Sequence, residues 1–149
     1  MAYCAYTDII SLISKDTLLQ LCDDDNVGDI VVSPPNTAYS NIVAAIAKAD
    51  AKIDSYIDSR YALPLATVPD QVRDASADLA LCNLYYRRRE LDVPEGIERR
   101  EKNVIAWLKD VQAGRASIPD LTEEVSDRGY VVSKTEDDRY FNDDLMDTY

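Results

Sequence analysis

The sequence contains no histidine, which removes the commonest general base and metal ligand and, with it, every Ser-His-Asp or Cys-His catalytic arrangement. Glycine is scarce. Gly28, Gly96, Gly114 and Gly129 stand alone, so no glycine-rich loop cradles a phosphate. Bases are also outnumbered: 16 Lys and Arg meet 28 Asp and Glu, a net charge of −12. Such a surface repels nucleic acid, whose backbone is bound by clustered Lys and Arg. The three cysteines, Cys4, Cys22 and Cys82, are odd in number and lack C-x-x-C spacing. They read as small buried apolar residues in a reducing compartment rather than as a disulfide or zinc set. No basic residue precedes Asp8, so no secretory signal is expected. The longest uncharged run, Ile30 to Ala47, is interrupted by prolines, asparagines and serines, which excludes a membrane span.

What the chain does have is helical periodicity. Between Ser40 and Pro69, apolar residues fall at Ile42, Ile46, Ala49, Ile53, Tyr56 and Ile57, one stripe of a 3.6-residue helix. Ser40 or Asn41 is the expected N-cap, and Leu63-Pro64 sets the far limit. An uncharged loop follows, Tyr61 to Pro69. Arg60, Tyr61, Leu63, Pro64 and Leu65 mark it as a stretch that packs on the core or under a neighbouring subunit.

Around this helix the remaining elements take their places. Thr7 and Ser14 are the expected caps of two short helices separated by a bend. Asp23 to Asp29 is acidic, and a calcium-loop register puts Asp23 and Asp25 at ligand positions. Val27 and Pro34 then occupy the fifth and twelfth positions, so the segment reads as a solvated turn. Val31 and Val32 with the following prolines form an extended connection. Asp70 is the expected cap of a central helix with Val72, Ala75, Leu79, Cys82 and Tyr86 on one stripe, widened by Ala80, Leu84 and Leu91. It ends in Arg87-Arg88-Arg89. These arginines compensate the helix dipole or, with Arg99 and Arg100, pair with acids of another copy; both readings stand. Pro94 opens a last helix, and Gly114 closes it. Four helical units, the first a bent pair, predict an all-α fold: a small bundle of antiparallel helices over 1–118.

Residues 119–149 form an irregular acidic C-terminal arm. From Asp120 onward ten acids meet three bases. Tyr130, Val131, Val132, Tyr140 and Phe141 punctuate it, as in an arm that orders on a partner; a frayed terminus, or a short strand at YVV, are the other readings. Carboxylate pairs at helical spacing, Asp50 with Asp54 and Asp54 with Asp58, fall on the polar face and read as solvated. No catalytic residue, metal ligand or cofactor site is expected.

Several motifs together resemble a known family. Met-Ala-Tyr-Cys opens the chain, and Leu21-Cys22-Asp23 leads to Gly28-Asp29-Ile30. Ala49-Asp50-Ala51-Lys52-Ile53-Asp54-Ser55-Tyr56 then runs on to Arg60-Tyr61-Ala62-Leu63-Pro64-Leu65. Val68-Pro69, Ala77-Asp78-Leu79-Ala80, Leu84-Tyr85, Ala106-Trp107-Leu108 and Ala113-Gly114 follow in order. This series is similar to the small head-tail connector proteins of Mu-like phages and prophages, over about residues 1 to 118. The resemblance implies a non-enzymatic virion adaptor in the neck, assembled in the bacterial host cytoplasm. It would form a homo-oligomeric, dodecameric ring that holds the portal protein and the next neck or tail protein. It also implies that DNA passes through without specific binding, and that no membrane is involved. An acidic DNA mimic or anti-defence protein binding a basic partner is the alternative, and a carboxylate-based metal enzyme using Asp23 and Asp25 a third.

Overall fold

The computed structural model describes residues 2–88, 90–119 and 121–122. Five helices follow in order: α1 (Tyr6–Leu12), α2 (Lys15–Cys22), α3 (Thr37–Ile57), α4 (Asp70–Arg87) and α5 (Glu95–Gln112). Among the described residues no strand forms, only an isolated bridge between Val32 and Pro35. The all-α expectation holds. Helices α3, α4 and α5 pack pairwise, and α1 and α2 close one end on α4.

Each helix begins for a local reason, and three starts differ from expectation. Ser14 caps α2 as anticipated, its side chain accepting from Thr17 N. The cap of α3 is Asn36 rather than Ser40 or Asn41. Its Oδ1 accepts from Tyr39 N at 3.0 Å and Val31 N at 3.2 Å, while Nδ2 donates to Asp29 O at 2.7 Å. One amide therefore fastens both the helix start and the strand-like approach, which lengthens α3 by a turn. Thr7 lies inside α1, where Asp8 reaches back to Ala5 N at 2.8 Å. Asp70 is the first residue of α4, after Pro69, and pairs with Arg73 at 2.7 Å.

The far end of α5 is a two-bond C-terminal motif. Gly114 N donates to Val111 O at 3.0 Å and Arg115 N to Asp110 O at 2.8 Å, with Gly114 at φ +75°. Only glycine takes that left-handed position without strain.

The core is one cluster. Ile42, Ile46, Ala49, Ile53 and Ile57 of α3 meet Leu79, Ala80 and Leu84 of α4 and Leu108 and Val111 of α5, with Ile9, Leu18 and Leu21 closing the end. The uncharged loop after α3 joins it: Tyr61 and Leu65 are buried, and Leu63 is half-buried. Tyr86 and Leu91, expected to extend the core stripe of α4, are exposed. They lie at and beyond the end of α4.

Candidate functional site

A concavity of about 560 Å³ lies between the N-terminal segment and α3. Its walls are small and apolar, among them Ala5, Val43, Ala47 and Ala51, and Tyr6 and Tyr39 meet edge to face at one end. Asp50 and Asp54 stand at the other end.

Asp50 is the feature that polarity patterning misplaced. It is 7% exposed, on the flank of the core rather than on the solvated face. Its Oδ1 accepts from Ser76 Oγ at 2.6 Å and its Oδ2 from Tyr3 N at 3.1 Å. The hydroxyl of Tyr3 donates in turn to Asp54. Two carboxylates one helical turn apart thus hold the N-terminal segment against α3, and Ser76 ties the same point to α4. Burial raises the pKa of Asp50, against the two hydrogen bonds that favour its ionised form. The Tyr3 phenol is pushed up by burial and by its bond to Asp54. Position 50 sits between Ala49 and Ile53 and follows Ile46 by one turn. That apolar flanking was the signal available in the sequence.

A second cluster sits at the C-terminus of α4. Arg87 grips Asp24 with two bonds, at 2.6 and 2.9 Å, and donates to Leu21 O at 2.7 Å. Arg88 pairs with the same carboxylate at 2.8 Å and donates to Asp23 O at 2.9 Å. The Arg87 bond is the main cause holding Asp24 down at about 2. The two arginines therefore pin the loop after α2 onto the C-terminus of α4. Arg100 pairs with Asp78 at 3.0 Å and Arg99 with Glu95 at 3.7 Å. The partners of Arg87 and Arg88 lie up to 66 residues away in sequence, so only folding reveals them.

Two more carboxylates of the acidic loop are engaged by one oxygen each. Asp23 accepts from Gly28 N at 2.7 Å, and Asp25 accepts from Thr37 Oγ1. Among the described residues no group of three potential ligands converges on a metal position.

The loop after α3 is anchored on the end of α5. Arg60 donates to Val111 O at 2.9 Å and Ala116 O at 3.4 Å, while Tyr61 Oη accepts from Ile118 N at 2.9 Å. Arg60 and Tyr61 thus join α3 to the segment that follows α5, while in the same loop Leu65 is buried, Leu63 half-buried and Pro64 exposed. Arg89, Tyr130, Val131, Val132, Tyr140 and Phe141 lie outside the described residues.

A third polar cluster bridges α3, α4 and α5. Lys52 pairs with Glu101 at 3.1 Å, and Tyr86 donates to the same carboxylate at 2.6 Å. Burial pushes Glu101 up, but those two bonds outweigh it and its pKa is lowered.

With this geometry in hand, residues 3–133 match the family described as Bacteriophage Mu, Gp36. The chain belongs to that family. The matched span takes in every helix and runs past residue 118 into the acidic segment, so membership in the Gp36 family rests on nearly the whole chain. Among curated proteins, none matches it. No described helix is long and apolar enough to cross a membrane, as the interrupted uncharged run predicts. The Gp36 assignment makes this a phage protein.

Proposed function

We propose that the chain is a head-to-tail adaptor of a tailed phage, a ring beneath the portal that joins it to the next neck or tail component while DNA passes through. The observation that carries this reading is the family match over residues 3–133. The structure supports it in kind. Every cluster described above serves to hold helices and loops rigidly to one another, as a component of a mechanical joint requires. Outward, α3 presents an apolar face, with Val43 at 45% exposure, of the sort that subunit contact covers. The acidic total suits a lumen from which DNA is repelled rather than held.

Co-sedimentation with portal-bearing heads that lack tails tests the proposal, using the full chain and a form ending at Pro119. Binding of the full chain alone makes the acidic arm the hook, and equal binding places the contact in the helical body. Binding of neither form, or virions without the protein, removes the adaptor reading.

A further inference from the structure

The adaptor proposal requires a contact between copies, and two faces of this chain are complementary enough to supply it. The first is the groove beside α3. Along its outward stripe, Val43, Ala47 and Ala51 give way to Asp54 and Asp58, while Asp50 lies beneath. The apolar part is open, and Asp58 has no ion pair among the described residues. The second is the outward stripe of α5, which carries Arg99, Lys102, Ala106 and Lys109, all exposed. Arg99 and Lys102 keep 69% and 76% of their side chains in solvent, and their contacts to Glu95 and Glu98 are long, at 3.7 and 3.5 Å. Lys109 has no ion pair among the described residues.

These faces point different ways. On α3, Lys52 turns to Glu101 of α5, and Asp50 and Asp54 stand two residues to either side, about 200° round the helix. A molecule with complementary faces on different sides associates head to tail, and such contacts close into a ring when the rotation permits.

We infer that the groove of one copy receives the basic face of α5 from the next, the two helices running antiparallel. In that register Asp58 faces Arg99, Asp54 faces Lys102, and Ala51 meets Ala106. The stretches 47–58 and 99–109 span about 17 and 15 Å of helix, so the lengths match, and Arg99 and Lys102 meet the acidic end of the groove. The alanine pair lets the backbones approach closely, and the charges fix orientation and order of assembly.

The inference rests on the ring reading, and its test separates the two. Ala51→Cys and Ala106→Cys are placed in separate full-length proteins. The native thiols are all buried, and both new sites are exposed. Assembly, alone at high concentration or on portal-bearing heads, is followed by sedimentation beside oxidative cross-linking. A disulfide formed on mixing the two variants, and in neither protein alone, is the expected result. Rings that form without that cross-link would overturn this interface and leave the adaptor reading intact; no assembly under any condition would remove both. Asp58→Arg and Arg99→Asp supply an independent measure. Each should weaken association about tenfold, and the two together in one chain should restore it. Failure of the double variant to recover, in a protein with an unchanged helical spectrum, would also overturn the register.

Discussion

Replacing Asp50 separates hydrogen bonding from charge at the one point where the N-terminal segment, α3 and α4 meet. In Asp50→Ala, Tyr3 N loses its acceptor and Ser76 Oγ keeps only the weak one, Cys4 Sγ at 3.3 Å. Orphaned buried donors cost about 1 to 3 kcal/mol each, and relief of the buried charge returns part of this. The net loss is about 2 kcal/mol, or roughly 4 to 8 °C in Tm for a chain of this size. Asp50→Asn behaves differently. Its oxygen accepts from Tyr3 N while its amide donates to the Ser76 hydroxyl, so the contacts survive and the buried charge disappears. Stability at pH 7 should then stay within about 1 kcal/mol of the wild type.

The pH profiles should also diverge. Burial raises the folded-state pKa of Asp50 above its unfolded value. The folded protein therefore binds this proton more tightly, and the contribution is fully present below the unfolded pKa. It is lost as pH rises through the folded value. Asp23, Asp24, Asp29 and Glu101 are shifted downward and act in the opposite sense. The quantity to read is therefore the difference between wild type and Asp50→Asn in urea unfolding from pH 3 to 7. On acidification that difference should move in favour of the wild type. An Asp50→Ala protein as stable as the wild type, or a difference constant with pH, would refute the reasoning.

Three further outcomes follow from the geometry. Tyr61→Phe leaves the buried Ile118 N–H without the phenol oxygen it meets at 2.9 Å; urea unfolding should show a loss of about 1 to 3 kcal/mol, and faster hydrogen exchange at Ile118. Gly114→Ala places a Cβ at positive φ and 3.2 Å from Arg60 Nη1, so stability should fall by about 1 kcal/mol, measured as a drop in Tm with the helical spectrum kept. Burial raises the thiols of Cys4 and Cys22 to about 11 and that of Cys82 to about 12, so a disulfide reagent at pH 8 should titrate none of them until the chain unfolds; prompt reaction of the native protein would contradict that burial.

Periodicity alone was enough to identify the helices. Ile42, Ile46, Ala49, Ile53 and Ile57 are all buried, because a 3.6-residue repeat can hide that set only as one helical stripe. Ser14 and Gly114 marked their helix ends correctly, since a side-chain acceptor and a left-handed residue act within a few residues of sequence. The motif series likewise pointed to the phage family to which the chain belongs. Asn36 was harder to read, as its amide serves both the helix and the approach to it.

Tertiary structure alone decided the fate of the charges. Apolar neighbours in the sequence hint at Asp50, but it is enclosed because Tyr3 and Ser76, 47 and 26 residues away, bring donors to it. Arg87 and Arg88 look like a free basic end until the loop after α2 delivers Asp24 to them. Apolar burial repeats with the helix and leaves its period in the sequence. A polar partner is chosen by whatever the fold carries within about 3 Å, and no local pattern records that choice.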